Sequence, residues 1–287
     1  MTDVRRIGVI GGTGVYDLDG VEYHDEVDVW TPYGSPSDQI RLGSYKGREL
    51  AFLPRHGRHH RFNPTHVPYQ ANIYAMKKLG VEWLISVNAV GSLKYEMKPL
   101  DFAVPNQIID RTRFRTSTFF DPLAIHIGFA DPFCDGLRKH LISATTECGV
   151  TVHEQGTYLC MEGPAFSTRA ESNLYRAWGA DMIGMTALPE AKLALEAEMC
   201  YAIVAGMTDY DCWHEEDVHI DMIISNLHKN SDNLKQLIKA AIPKIPEARE
   251  GAACSCQHAL ANAKLSRKEE FPEDKREAFE FLMKKYI

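Results

Sequence analysis

Residues 199–207, Met-Cys-Tyr-Ala-Ile-Val-Ala-Gly-Met, run without a single charge and then give way at once to Thr208-Asp209-Tyr210-Asp211-Cys212-Trp213. A short run with no polar face to turn to water reads as a strand covered on both sides, inside a parallel sheet. Parallel strands need crossover connections, so this one run already points to an α/β fold. If the chain stays extended past 207, Asp209 and Asp211 point the same way. In an open α/β sheet, ligands bind at the carboxyl edge of the strands, where this pair falls. Two neighbouring carboxylates repel, so one can hold a proton and donate it. A D-x-D motif alone reads as readily as a solvated loop with a helix cap, so other segments must decide.

Further strand-like runs lie at 7–10, 50–53, 83–87, 102–104, 156–160 and 182–185. Helical periodicity fills the intervals at 69–79, 135–148, 168–178, 190–199 and 220–241. This alternation predicts a mostly parallel central sheet flanked by helices on both faces. No linker divides the chain, so 1–287 reads as a single domain, with 243–287 a C-terminal helical appendix. The charged tail keeps Phe271, Phe279, Phe281, Leu282 and Tyr286, which predicts a packed helix docked on the body or on a neighbouring subunit. A net charge of −7 argues against nucleic acid or an anionic membrane as main partner. No uncharged apolar stretch is long enough to span a bilayer, and the start resembles no signal peptide, so a cytoplasmic home is expected.

Several predicted strand ends carry chemistry. Gly11-Gly12-Thr13-Gly14 offers backbone N–H groups and a hydroxyl to an anion. Its spacing does not match G-x-G-x-x-G, and no amphipathic helix follows at once, which weakens a dinucleotide-dependent oxidoreductase. Pro54-Arg55-His56-Gly57 places a guanidinium fork and an imidazole where phosphate oxygens can be bound, and Arg58, His59, His60 and Arg61 extend the positive stretch. A solvated basic loop accounts for it equally well in isolation. Asn88-Ala89-Val90-Gly91-Ser92 reads as a loop of small residues that lets backbone approach a ligand. Phe166, in Glu162-Gly163-Pro164-Ala165-Phe166-Ser167, can stack on a planar base, and Gly184-Met185-Thr186 adds an apolar side chain and a hydroxyl. Phe166 and Met185 read equally well as packing residues. No nucleophile elbow and no P-loop are present, so the set favours general-acid help to a reaction between phosphate and a nucleoside.

These motifs, together with Thr168-Arg169-Ala170-Glu171-Ser172, resemble the 5'-methylthioadenosine phosphorylase family of the trimeric purine nucleoside phosphorylase group. The resemblance runs from about Ile7 to Ala241, in order and at family-like spacing. It implies the single-domain nucleoside phosphorylase fold and phosphorolysis of methylthioadenosine to adenine and 5-methylthioribose 1-phosphate, a step of purine and methionine salvage. It implies that Thr13, Arg55, His56, Asn88, Ala89 and Thr186 hold phosphate. By the same likeness Phe166 and Ser167 line the base site, Met185 lies under the ribose, Asp209 bears on purine N7, and Asp211 accepts from the 6-amino group. His126 matches a residue that relatives contribute from a neighbouring subunit, and Ile220 and Ile223 match the helix of the methylthio pocket. The implied assembly is a homotrimer or a dimer of trimers. Phosphate is a co-substrate, and no cofactor or metal is expected.

Asn88 departs from the Thr common in close relatives, and Ala165 and Val90 depart from the Arg and Cys of animal ones. The runner-up reading is methylthioinosine or general purine nucleoside phosphorolysis, against which both aspartates argue because they would repel O6. A nucleoside-binding protein without catalysis is a third class, which would need Asp209 disabled; it is intact. Seven cysteines are present, five of them in apolar surroundings where buried free thiols are the default. Cys254-Ser255-Cys256 is open to three readings: idle thiols, a strained disulfide, or metal, the last weakened because two thiols alone are a poor metal signal. The C-x-C also resembles heat-stable archaeal members that carry disulfides.

Overall fold

The apolar run is a strand, Cys200–Asp209, buried at every position. The computed structural model describes residues 4–12, 17–214, 220–249, 254–263 and 268–287. In chain order the strands are β1 (Arg6–Gly11), β2 (Glu22–Val27), β3 (Ile40–Tyr45), β4 (Arg48–Pro54), β5 (Val81–Ser92), β6 (Phe102–Ala103), β7 (Gln107–Arg111), β8 (Val152–His153), β9 (Thr157–Met161), β10 (Met182–Gly184) and β11 (Cys200–Asp209). The helices are α1 (Tyr69–Lys78), α2 (Asp135–Glu147), α3 (Arg169–Ala177), α4 (Glu190–Glu196), α5 (Ile220–Ala241) and α6 (Arg276–Met283).

One mixed sheet joins the strands in the order β2-β3-β4-β1-β5-β10-β9-β7, with β11 beside β5 and then β6 and β8. The centre, β4-β1-β5-β11, is parallel throughout. Alternate residues of β11 serve opposite faces, as a pleated strand requires. Tyr201, Ile203, Ala205 and Met207 join a core with Ile73 and Met76 of α1 and Ala191 of α4. Cys200, Ala202 and Val204 join the other core with Leu137 and Leu141 of α2 and Leu237 and Ile238 of α5. Two covered faces explain why the run carries no charged side chain. Asn226 and Asn230, one turn apart on α5, donate to the Thr208 and Met207 carbonyls at 2.8 and 2.9 Å, tying the helix to the end of the strand.

The expected architecture is the one observed, with two corrections. The segment 88–92, read as a loop, is the continuation of β5. There the strand exchanges a parallel neighbour for an antiparallel one, β10, through Gly91 opposite Ile183 and Ser92 opposite Met182. The small residues, read as letting a loop's backbone approach a ligand, let strand and side chains crowd: a Cβ at Gly91 would lie 3.1 Å from Asp209 Oδ1. The strands β2, β3, β7 and β8 were also invisible as such. β2, Glu-Tyr-His-Asp-Glu-Val, is an edge strand with mostly exposed charged side chains, so it has no apolar pattern to read. The terminal segment packs on its own chain: Phe279 is fully buried, with its ring 5.3 Å from Phe120 and 5.5 Å from Phe271.

Candidate active site

The carboxyl ends of β1, β4, β5 and β11 meet along one edge, set by the pairings Gly11–Pro54, Ile10–Ser86 and Gly206–Ala89. A cavity of about 660 Å³ opens there. Its wall includes Gly12, Arg55, His56, Asn88, Ala89, Phe166, Met185, Thr186, Asp209 and Asp211, drawn from six separate stretches of chain. Thr13 lies outside the described residues. Ser167 sits just behind the wall, its hydroxyl 3.6 Å from Met161 Sδ. The side chains of Ile220 and Ile223 also lie outside the described residues, but Leu227, further along α5 at helical spacing, lines the cavity. His126 is exposed and absent from the cavity wall, its amide bound to the Ala263 carbonyl at 2.9 Å.

On one wall, β11 ends at Asp209 and the chain turns, so the extended geometry expected through Asp211 does not occur. Asp211 takes a left-handed conformation at φ 53° and opens a short 3₁₀ turn. The two carboxylates reach the same cavity through this turn instead of through strand alternation. Asp209 Oδ2 accepts from the Thr208 hydroxyl at 2.6 Å, and Oδ1 accepts from the Asp211 amide at 2.7 Å. Ser172 of α3 donates to Asp211 Oδ2 at 2.6 Å. Helix α3 is aimed by a capping box in which Thr168 and Glu171 bond each other's backbone. Burial pushes both carboxyls up, and the charge of Asp211 adds to the rise at Asp209.

The opposite wall is a buried polar network. Arg55 is 1% exposed, and its fork does not face the cavity: Nε and Nη2 pair with Glu190 at 2.8 and 3.0 Å. Nη2 also donates to Ser86 Oγ at 2.6 Å, and Nη1 to the Val87 carbonyl at 3.0 Å. Of its five donors, one Nη1–H has no partner among the described residues, and Arg55 borders the cavity. Burial would strip the guanidinium of its proton, but Glu190 outweighs burial and holds it charged. Ser86 and Tyr201 also bond Glu190, at 2.7 and 2.9 Å. The Asn88 amide donates to Thr186 Oγ1 at 2.7 Å and to the Tyr158 hydroxyl at 3.4 Å, while its oxygen lies 2.8 Å from Ser86 Oγ, whose single hydrogen is shared between it and Glu190. Asn88 therefore orients Thr186: that hydroxyl accepts from Asn88 and keeps its own hydrogen for the cavity.

His56 is the second surprise. Burial first, and then the charge of Arg55, bring it down to about 4, so it is neutral near pH 7. A carbonyl can only accept, so Nδ1, 2.9 Å from the Phe62 carbonyl, carries the hydrogen and Nε2 is a lone pair. Gly57, at φ 72°, makes this turn, and a Cβ there would lie 2.8 Å from the Ser37 carbonyl. Arg58 is paired away from the cavity with Glu26 and Asp38, whereas Arg61 lines it.

Glu190, Ser86, Tyr201 and Ser172 were missed, and so was Arg115. The Arg115 side chain is 1% exposed and donates to the Met185, Leu188 and Glu162 carbonyls, each at 2.6 Å. It also meets the Glu162 carboxylate at 3.0 Å, clamping together the two loops that carry Phe166 and Met185. Burial would raise the Glu162 carboxyl, but bonds from the Arg113 amide, Thr65 and Arg115 outweigh it and hold it at about 2. Ser172 stood in a quoted motif without a role, and the other four gave no local signal, since each matters only through a partner far away in sequence.

The phosphorylase superfamily profile matches residues 6–243 of the chain. S-methyl-5'-thioadenosine phosphorylase of Koribacter versatilis is 50% identical over 98% of this chain and 97% of its own length. Among solved structures, a methylthioadenosine phosphorylase from an antarctic soil metagenomic library superposes with a TM-score of 0.92 at 45% identity, covering 98% of this chain and 99% of that one. A mutant adenosine/methylthioadenosine phosphorylase from Schistosoma mansoni, in complex with methylthioadenosine, gives 0.85 at 32% identity, covering 91% and 99%.

Proposed function

The chain belongs to the phosphorylase superfamily, in its S-methyl-5'-thioadenosine phosphorylase branch, and on that premise we propose that it cleaves methylthioadenosine with inorganic phosphate. The products are adenine and 5-methylthioribose 1-phosphate. The observation that carries the reading is one cavity with a buried aspartate pair on one wall and oriented donors around Arg55 on the other.

Breaking the glycosidic bond sends its electron pair to the purine, leaving an oxocarbenium-like ribose. Asp209, which burial makes reluctant to ionise, donates its proton to N7 as that charge arrives, so adenine leaves neutral. Asp211, with Oδ2 held by Ser172, offers Oδ1 to the 6-amino group. A phosphate oxygen then forms the new bond to the anomeric carbon, and its negative charge stabilises the cation until it does. Hydrogen phosphate carries one proton, which the lone pair of His56 Nε2 accepts as a hydrogen bond. The Thr186 hydroxyl and the remaining Arg55 Nη1–H donate to its oxygens, with Ala89 and Thr13 completing the cradle. Asn88 acts by positioning Thr186. Phe166 stacks on the base, and Met185 lies under the ribose.

The reading includes a homotrimer, or a pair of trimers, in which the neighbour's His126 closes the methylthio end beside the helix carrying Ile220 and Ile223. Its support is that His126 lies off its own chain's cavity, and that Phe114 and Trp30 are 79% and 65% exposed, large apolar surfaces fit for an interface. Seven unbridged thiols favour a reducing, cytoplasmic setting.

The test is phosphate-dependent release of free base from methylthioadenosine, adenosine and methylthioinosine by the wild type and Asp211→Asn. Fast adenine release from methylthioadenosine, lost in the variant, is expected. Preference for methylthioinosine would overturn the role of the aspartates, and no cleavage of any of the three would overturn the activity.

A further inference from the structure

Four of the seven cysteines, spread over more than a hundred positions of sequence, converge at the opposite end of the sheet. The sulfur atoms of Cys134, Cys200, Cys254 and Cys256 all lie within 4.8 Å of one another, and Cys200 and Cys254 are 3.5 Å apart. Three separate elements deliver them. Cys134 is the residue before α2, Cys200 opens β11, and Cys254 and Cys256 flank the start of a 3₁₀ turn in the C-terminal segment. The first two are locked together by the Cys134 amide, which donates to the Tyr201 carbonyl at 2.8 Å. A Zn–S bond of about 2.3 Å sets a tetrahedral edge of roughly 3.8 Å, a spacing this cluster already approaches.

We propose that Cys134, Cys200, Cys254 and Cys256 form a tetrathiolate site for one Zn²⁺ that fastens the C-terminal segment to the sheet. No metal was expected here because two thiols of a C-x-C are a poor signal; the fold adds Cys134 and Cys200 to them, at a place remote from the reaction. Cys200 and Asp209 stand at opposite ends of β11, nine residues and so about 30 Å apart. Four protein ligands close the coordination sphere and leave no position for water, the mark of a structural zinc. Thiolate donors select a soft or borderline ion over magnesium or calcium. Binding forms four Zn–S bonds and releases four thiol protons, with no change of oxidation state. The resulting double negative charge lies at the N-terminus of α2, whose first-turn N–H groups and dipole favour it. Cys134, Cys200 and Cys256 are buried and Cys254 half-buried. A side cavity of about 480 Å³, lined by Cys134, Cys254, Cys256 and His258, gives an ion its way in.

The first experiment is elemental analysis of protein purified under reducing conditions with no added metal, together with a count of titratable thiols. About one zinc per chain is expected, with seven titratable thiols in the denatured, chelated chain and at most three in the loaded native protein. Replacement by Co²⁺ should give thiolate-to-cobalt charge-transfer absorption and intense tetrahedral d–d bands. Cys254→Ser with Cys256→Ser should lose the zinc and lower Tm, while methylthioadenosine phosphorolysis at 25 °C stays within about two-fold. If that variant fails to fold, zinc content and the Co²⁺ spectrum of the wild type still decide. Four thiols found joined as disulfides would overturn the proposal, as would metal-free protein whose reduced form takes up neither Zn²⁺ nor Co²⁺ through sulfur. Either failure leaves the phosphorolysis reading untouched, because it is assayed at the far end of the sheet.

Discussion

The two walls of the cavity handle buried charge in opposite ways. Around Arg55 every charge is matched: Glu190 takes the fork, Ser86 and Tyr201 satisfy Glu190, and Asn88 passes the order on to Thr186. Around Asp209 no cation is supplied among the described residues, and two acids share a buried turn held by two hydroxyls and an amide. A matched network is rigid and presents a few aimed donors to an anion that brings its own charge. An unmatched acid is uncomfortable when ionised, and that discomfort suits it to the proton-donor role proposed for Asp209. One wall is built for stability, the other for reactivity at some cost in stability.

Substitutions on the two walls should therefore separate activity from stability. The largest effect is expected for Asp209→Asn, which removes the proposed proton donor: kcat should fall by roughly 10²–10⁴-fold, the usual worth of general-acid help. The same variant should be at least as stable as the wild type at pH 7. The folded state raises the Asp209 pKa, so it binds the proton more tightly than the unfolded chain, and stability declines as pH rises from the ordinary aspartate range through the raised value. Asparagine removes that decline. Parallel urea melts from pH 4 to pH 8 would show it, and a variant that is inactive and also clearly less stable at pH 7 would break the contrast.

Glu190→Gln should reverse the pattern. It leaves the Arg55 guanidinium buried and unpaired, which costs about 3–5 kcal/mol of stability. Denaturant melts would check this, and a loss under about 1 kcal/mol would mean that the matched wall is less rigid than its bonds suggest. Thr186→Ala comes next: loss of one hydrogen bond to a charged ligand, worth about 1.5–3 kcal/mol, should raise KM for phosphate roughly 10–150-fold while KM for the nucleoside barely moves. The smallest effect belongs to Ser172→Ala, which frees Asp211 Oδ2 of its only side-chain donor among the described residues. Discrimination between methylthioadenosine and methylthioinosine should narrow by about ten-fold or less, since the loop around Asp211 remains. Competition assays with mixed nucleosides would measure it.

Much of this was readable beforehand because it is local. The helices of the body announced themselves through a period of 3.6 and the fully covered strands through short unbroken apolar runs, and most cavity residues announced themselves as strand ends. The polar edge strand β2 did not, because its side chains face water and have no pattern to keep. Glu190 did not either. A glutamate in the first turn of a helix is ordinary, and only its contact with Arg55, 135 positions earlier, makes it part of the site. Arg115 sits among Arg111 and Arg113 in a polar stretch that reads as a solvated loop, yet its side chain is buried and donates to three carbonyls.

The amino-acid sequence by itself determined the layered α/β architecture, the edge at which the cavity opens, and the aspartate pair, because apolar patterning and strand-end position depend on neighbours in the chain. Tertiary structure alone decided that the Arg55 fork faces Glu190 and not the cavity, that His56 offers a lone pair and not a proton, and that Asp211 arrives through a left-handed turn. It alone brought Cys134 and Cys200 to the C-x-C of the tail. Burial, charge pairing and coordination depend on distances in space between residues remote along the chain, and no spacing within the sequence encodes them.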